Sequence, residues 1–257
     1  MKLIDTHAHL DSIENIDTAL QEAFAIGVEG IIAVSTDMKA CQKNYDIYRR
    51  SLSVANVPRI YLSMGIHPSD ARPDDCEPVS DFIQKHAHEI SAIGEIGLDF
   101  FYKEARHDEA KKGEQRRVFQ FFLQLAKQMD LPAIIHSRGA YREAFETVKE
   151  LGVKRAVFHW WDGPMDVLED IMKHGYYVSA TPNLAYNDKI REMISHVNVN
   201  QLLIETDSPV LYRNTKTHEQ FEATPKDVLR TLEAYCQLKN VTPQAASLQF
   251  NQNVKGF

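Results

Sequence analysis

Apolar and polar positions alternate along this chain in blocks. Short apolar runs rich in β-formers occupy residues 3–10, 30–35, 60–66, 91–98, 132–136, 156–161, 176–180 and 201–206. Each is followed by a polar stretch with room for a helix, which predicts about eight parallel βα units. The segment RRVFQFFLQLAKQM (116–129) shows helical spacing most clearly, with Phe119, Phe122, Leu123 and Ala126 on one face. Several strand candidates are almost wholly apolar, as expected of strands buried on both faces. No Pro/Gly/Ser linker or composition break divides the 257 residues, so residues 1–257 read as a single domain. Eight such units predict an α/β fold of the (β/α)8 TIM-barrel type, with a doubly wound sheet as the lesser alternative.

The polar residues inside these runs are not scattered. In IDTHAHLD, His7 and His9 are two residues apart, so on a strand they share one face. GIHP places His67 at the end of the third run, and GEIGLD places Glu95 in the fourth with Asp99 at its end. IIHSR ends the fifth with His136 and Arg138, VFHWW the sixth with His159, and LLIETDSP the last with Glu205 and Asp207. In a barrel of this class the chemistry sits at the carboxyl ends of the strands. Charged side chains are rarely buried without partners, so a mixed histidine–carboxylate metal centre at the barrel mouth is expected. The four imidazoles of His7, His9, His136 and His159 with the carboxylates of Glu95 and Asp207 exceed what one four-coordinate ion uses. Two ions bridged by Glu95 use them well, an arrangement suited to phosphoester cleavage. Imidazole with carboxylate suits Zn, Mn, Fe or Ni better than Mg alone.

Composition narrows the setting. The formal net charge is −7, which argues against broad electrostatic adhesion to nucleic acid, so a phosphate-bearing substrate needs a local positive charge that bound metal can supply. Hydrophobic content of 44% with no bilayer-length apolar run predicts a globular protein without a membrane partner. Cys41, Cys76 and Cys236 are scattered and odd in number, and the amino terminus lacks a signal-peptide core, so a cytoplasmic location is expected.

The set DTHAHLD, GIHP, GEIGLDFFY, LPAIIHSR, FHWWDG and LLIETDSP resembles, in order and over essentially the whole chain, the TatD family of metal-dependent nucleases within the amidohydrolase-like barrels. That resemblance implies a deoxyribonuclease degrading DNA from its 3′ end with two divalent ions, Mg, Mn or Zn. It implies that His7, His9 and Asp207 hold one ion, His136 and His159 the other, and that Glu95 bridges them. Two departures stand out. The family often has HCFTG where this chain has HWWDG at 159–163, and the segment after TDSP, VLYRNTKTHEQFEATPKDV, matches the family's basic loop poorly.

Around this centre, Asp207 is expected to accept a proton from the attacking water besides binding metal. Glu205 and Asp5 are expected to orient imidazoles, or else to form a buried polar layer. His67 and Arg138 are candidates for the substrate phosphate, Arg138 by a bidentate fork. Of the two tryptophans, Trp161 is the candidate for stacking a base, core packing being the competing fate of the pair. Residues 103–117 read as a solvated loop and helix start, where Arg116 or Arg117 could reach phosphate. The expected reaction is thus phosphodiester hydrolysis by a 3′–5′ exodeoxyribonuclease preferring single-stranded ends. The alternative is hydrolysis of small esters, lactones or cyclic amides on the same metal pair, and a catalytically silent scaffold is disfavoured because every expected ligand is present.

Overall fold

The computed structural model describes residues 1–214 and 216–257, with only the backbone for Lys103 and Glu104. Strands β1 (Leu3–Ala8), β2 (Val28–Val34), β3 (Arg59–Met64), β4 (Ile90–Gly97), β5 (Ala133–His136), β6 (Ala156–Phe158), β7 (Tyr177–Ala180) and β8 (Leu202–Ile204) pair in sequence order, all parallel. The circle closes where the segment after β8 meets β1: the Asp207 N–H donates to His7 O (2.9 Å) and the His9 N–H to Ser208 O (2.8 Å). Helices stand between successive strands, so the architecture is the expected (β/α)8 barrel.

Two apolar layers hold it together. A large one lies between barrel and helices, and includes Ile31, Ala33, Leu62, Ile93, Ile135 and Phe158. A smaller one fills the barrel itself: Ile32, Val34, Ala92, Ile134, Val157 and Leu203, closed by the carboxy-terminal Phe257. Strand alternation then decides where polar residues go. Ile134 and Val157 face inward, so His136 and His159, two residues on, also face inward but nearer the mouth. The helix Glu109–Met129 shows the other layer's logic. Asp108 caps its start by accepting the Ala110 and Lys111 N–H groups, and Val118, Phe119, Phe122, Leu123 and Ala126 are buried. It begins seven residues before the stretch with clear periodicity, because its first two turns are solvated.

Two register shifts aim residues that simple alternation would misplace. Along β4, Ile93 pairs with Ala133 but Ile96 with Ile135, so one extra residue is inserted on β4. Such a bulge reverses the alternation, and Glu95 turns inward although Ile93 and Ile96 both pack outward. On β1 the same happens between Asp5 (paired with Ile31) and Ala8 (paired with Ala33). Gly97 permits the tight crossing onto β5: its φ is +152°, and a Cβ there would lie 1.9 Å from His136 O.

One element was not foreseen. After β8 the chain forms a short antiparallel hairpin, β9 (Leu211–Arg213) with β10 (Gln220–Glu222), in which Tyr212 faces Phe221. Its strands are three residues each and carry no apolar run. Within the divergent segment that contains it, Thr215 lies outside the described residues.

Candidate metal centre

All six expected ligands, with His67, converge at the carboxyl ends of the strands around the two oxygens of Glu95. Glu95 Oε2 lies 3.2 Å from His7 Nε2 and 3.5 Å from His9 Nε2. Asp207 Oδ1 completes that group, 3.4 Å from His7 Nε2 and 3.1 Å from His9 Nε2. Glu95 Oε1 faces a second group: His136 Nδ1 and His159 Nε2, each at 2.8 Å, and His67 Nε2 at 3.5 Å. Within it, His136 Nδ1 is 3.3 Å from both His67 Nε2 and His159 Nε2. Donor atoms at about 2.1 Å from a tetrahedral ion are about 3.4 Å from one another, so both groups have the dimensions of a metal shell.

The unmet valences agree. His7 is wholly buried, yet neither of its ring nitrogens has a hydrogen-bond partner, and Asp207 Oδ1 has none either. Buried polar atoms are normally satisfied, and a divalent ion among these donors would satisfy His7 Nε2 and Asp207 Oδ1 at once. The residues present therefore fit a divalent metal.

The outer partners set which nitrogen of each ring faces inward. His136 Nε2 donates to Asp99 Oδ2 (2.8 Å), leaving Nδ1 toward Glu95. Asp99 is itself fixed by the Phe101 and Tyr102 N–H groups and by Gln115, whose side chain pairs with both the Asp99 N–H and carbonyl. His159 Nδ1 faces Glu205 Oε1 at 3.4 Å, turning Nε2 inward. His67 Nδ1 accepts the Ser69 N–H (3.1 Å) and lies 2.7 Å from its hydroxyl, so the neutral ring carries its proton on the inward Nε2.

Charge cuts across the two groups: burial favours the neutral rings of His136 and His159, yet Asp99 raises the first and Glu95 raises the second well above the usual imidazole value. Burial works against ionising Glu95, but His159, His67 and His7 and the hydrogen bond from His136 hold its carboxyl well below the ordinary range. Asp207 is also buried and also lowered, by the His9 ring 3.1 Å away and by the charge of His7. For His9, burial favours the neutral ring, yet Asp207 and then Glu95 push it up to about 9. Burial drives His67 the other way, down to about 3, despite Glu95 beside it.

The cluster floors a cavity of about 750 Å3 whose walls include Arg138, Tyr102, Tyr141, Trp160, Asp162 and Asn183. Arg138 stacks on Phe101, its guanidinium carbon 4.2 Å from the ring centroid, and donates to the Tyr102 hydroxyl. Arg116 does not reach the site; it pairs with Glu143 on the neighbouring helix.

One expectation is corrected, and for Asp5 the structure decides for the buried polar layer. Trp161 is 1% exposed, packed edge-on against Tyr141 and Phe158, so it presents no face at the mouth. The reason is backbone: Trp160 adopts φ +43°, which ends the strand's alternation after His159. Its N–H donates to Ser179 Oγ and Glu205 Oε1, both at 2.9 Å, and Trp160 lines the cavity instead. Asp5 orients no imidazole. It accepts the Thr206 N–H (2.9 Å) and hydroxyl and the His7 N–H (3.3 Å), so it clamps the β1–β8 seam, a result of the register shift below His7. Asp99 was visible as a polar strand end, four residues after Glu95, but its grip on His136 needed the fold.

With this geometry in hand, comparisons with known proteins decide the family. The model for TatD-related DNases matches residues 4–257. The chain belongs to the TatD family. It is 32% identical to the metal-dependent hydrolase YabD of Bacillus subtilis, over 98% of this chain and 97% of that protein. It is 27% identical to the human deoxyribonuclease TATDN3, over 98% and 92%. Among solved structures, a TatD family hydrolase from Entamoeba histolytica matches with a TM-score of 0.85 at 20% identity, covering 99% of this chain and 97% of that one. The TatD homologue YJJV of Escherichia coli K12 matches at 0.84 and 24%, covering 98% and 95%. Family membership makes this TatD protein a metal-dependent hydrolase of ester bonds. Among the described residues no helix is long and apolar enough to cross a membrane.

Proposed function

We propose that this TatD protein hydrolyses DNA phosphodiester bonds with two divalent ions, Mg, Mn or Zn, working 3′ to 5′ from single-stranded ends as the family resemblance implies. One observation carries the reading: the two oxygens of Glu95 face separate donor groups, so a single carboxylate spans two metal-sized shells. His7, His9 and Asp207 would hold one ion, and His136 and His159 the other. When bound, two such ions lower the pKa of a water between them and offset the charge of the scissile phosphate.

The chain supplies the rest. Asp207, ionised and one of the three residues that would hold the first ion, would accept the proton that the attacking water loses. His67, neutral with its proton on Nε2, donates to a phosphate oxygen over the His136 side, where a charged imidazolium would repel the ions. Arg138 offers a fork to a phosphate at the cavity wall, its plane held by Phe101. A pocket floored this deeply admits a frayed strand more readily than a duplex. The three cysteines are free and buried, in keeping with a reducing, cytoplasmic setting.

The test is a turnover panel of linear single strands, closed circular single strands, blunt duplex, RNA and small esters, each with Mg, Mn or Zn. Linear single-stranded DNA should be cut fastest. Equal rates on circular and linear strands would remove the end-dependent part, and turnover of esters or lactones alone would replace the nuclease reading.

A further inference from the structure

Beside the mouth lies a second cavity, of about 440 Å3, formed where the hairpin β9–β10 folds back against the segment following β7. It shares Trp160, Asn183, Asn187 and Val210 with the cavity above the histidine cluster, so the two adjoin at these residues. We propose that this side cavity is a subsite for an unpaired nucleobase, the one adjoining the nucleotide held at the cluster, with Trp160 as its stacking face. The proposal rests on the nucleic-acid reading above and goes beyond it by naming where a second nucleotide sits.

Three features fit a base there. Trp160 is propped in place: Tyr212 covers one face of the indole, with centroids 5.5 Å apart and planes 26° apart, and the half-buried ring still lines both cavities. Tyr212 is in turn stacked on Phe221 (5.4 Å, 22°), which lies under the Arg230 guanidinium (4.1 Å), and its hydroxyl donates to Thr206 O. An aromatic surface supported from behind binds a base at little entropic cost and with little sequence preference. Next, Asn183 is 8% exposed, and its buried Oδ1 has no hydrogen-bond partner. A base edge carrying an amino or imino N–H supplies the missing donor. Finally, Arg213 lines the cavity, as do Lys216 and Asp188, which pair with each other at 2.6 Å, so one net positive charge is available to a phosphate.

The experiment uses the intact enzyme with a single-stranded oligothymidylate in which one abasic nucleotide is walked inward from the end. An abasic site next to the scissile position should raise KM by about 5- to 150-fold, the value of one stacked base. The same substitution further along should not. Trp160→Ala should erase that position dependence, and Trp160→Phe should keep most of it. Independently of turnover, metal-free protein in chelator should lose tryptophan emission on adding oligothymidylate, whereas Trp160→Phe should not, because Trp161 is buried. Cleavage that ignores the abasic position, with no change in emission, would overturn the subsite while leaving the nuclease reading intact. An emission change in wild type alone, with no cleavage under any metal, would keep the subsite and remove the nuclease reading.

Discussion

The histidine cluster and the rim beside it are aimed by different means. In the cluster, His7, Glu95, His136 and His159 leave barrel strands whose register fixes them, and outer partners such as Asp99 and Glu205 choose the nitrogen that faces inward. At the rim, Trp160 leaves a left-handed backbone position and is propped by Tyr212 from a hairpin outside the barrel. The cluster thus inherits its geometry from a sheet that sits in the most buried part of the molecule. The rim depends on side chain against side chain, and can be rebuilt without disturbing the sheet. On the proposed reading the chemistry belongs to the first region and substrate choice to the second.

The largest effect should come from breaking the cluster at its centre. Glu95→Ala removes the one carboxylate that faces both donor groups, and turnover should fall to that of metal-free protein while far-UV circular dichroism stays native, because barrel stability lies in its apolar layers. Metal analysis of the purified variant should show fewer than two ions per chain. Near-normal turnover with two ions would show that Glu95 bridges nothing. Next in size, Trp161→Ala should cost about 3–5 kcal/mol in denaturant unfolding, as expected for a large buried aromatic, while the folded protein keeps its metal content. A Trp161→Ala protein of wild-type stability but raised KM would return that ring to the mouth.

A smaller loss should follow Asp99→Asn, which weakens the partner that holds His136 Nε2. Metal affinity or turnover should drop by about 10–100-fold, a typical cost of losing a partner that orients a ligand. The mildest prediction concerns pH. His9, held up to about 9 by Asp207, is protonated in neutral solution without metal, and His159 and His136, raised by Glu95 and Asp99, hold protons in the other donor group, so metal binding must expel protons from both. Apparent metal affinity should therefore climb with pH through neutrality, by up to about tenfold per unit for each proton expelled. Calorimetry in buffers of different ionisation enthalpy would count the protons released. His67, driven down to about 3, is already neutral and releases none, so His67→Asn should leave this pH dependence unchanged.

Much of the cluster was readable from the sequence because it obeys the sheet. Strand runs carrying His, Asp or Glu toward their ends are visible as pattern, and seven such residues from six of the runs meet in the structure. What the pattern could not supply were the events that break alternation. The inserted residue on β4 and that on β1 reverse the facing of Glu95 and His7 relative to the residues before them, and they left Asp5 at the seam rather than under an imidazole. The left-handed Trp160 likewise exchanged the places of two adjacent tryptophans. The hairpin β9–β10 left no periodic trace, since each strand is three residues long and its one well-buried ring, Tyr212, is fixed by contacts with Trp160 and Phe221.

The central claim, that hydrolysis runs through metal held by this cluster, is tested most directly by titrating chelator-stripped protein with Mn while following release of nucleotides from single-stranded DNA. Turnover should be absent at the start, rise with added ion and reach its plateau at two equivalents per chain. Full activity before any ion is added, with metal removal verified by elemental analysis, would contradict the account.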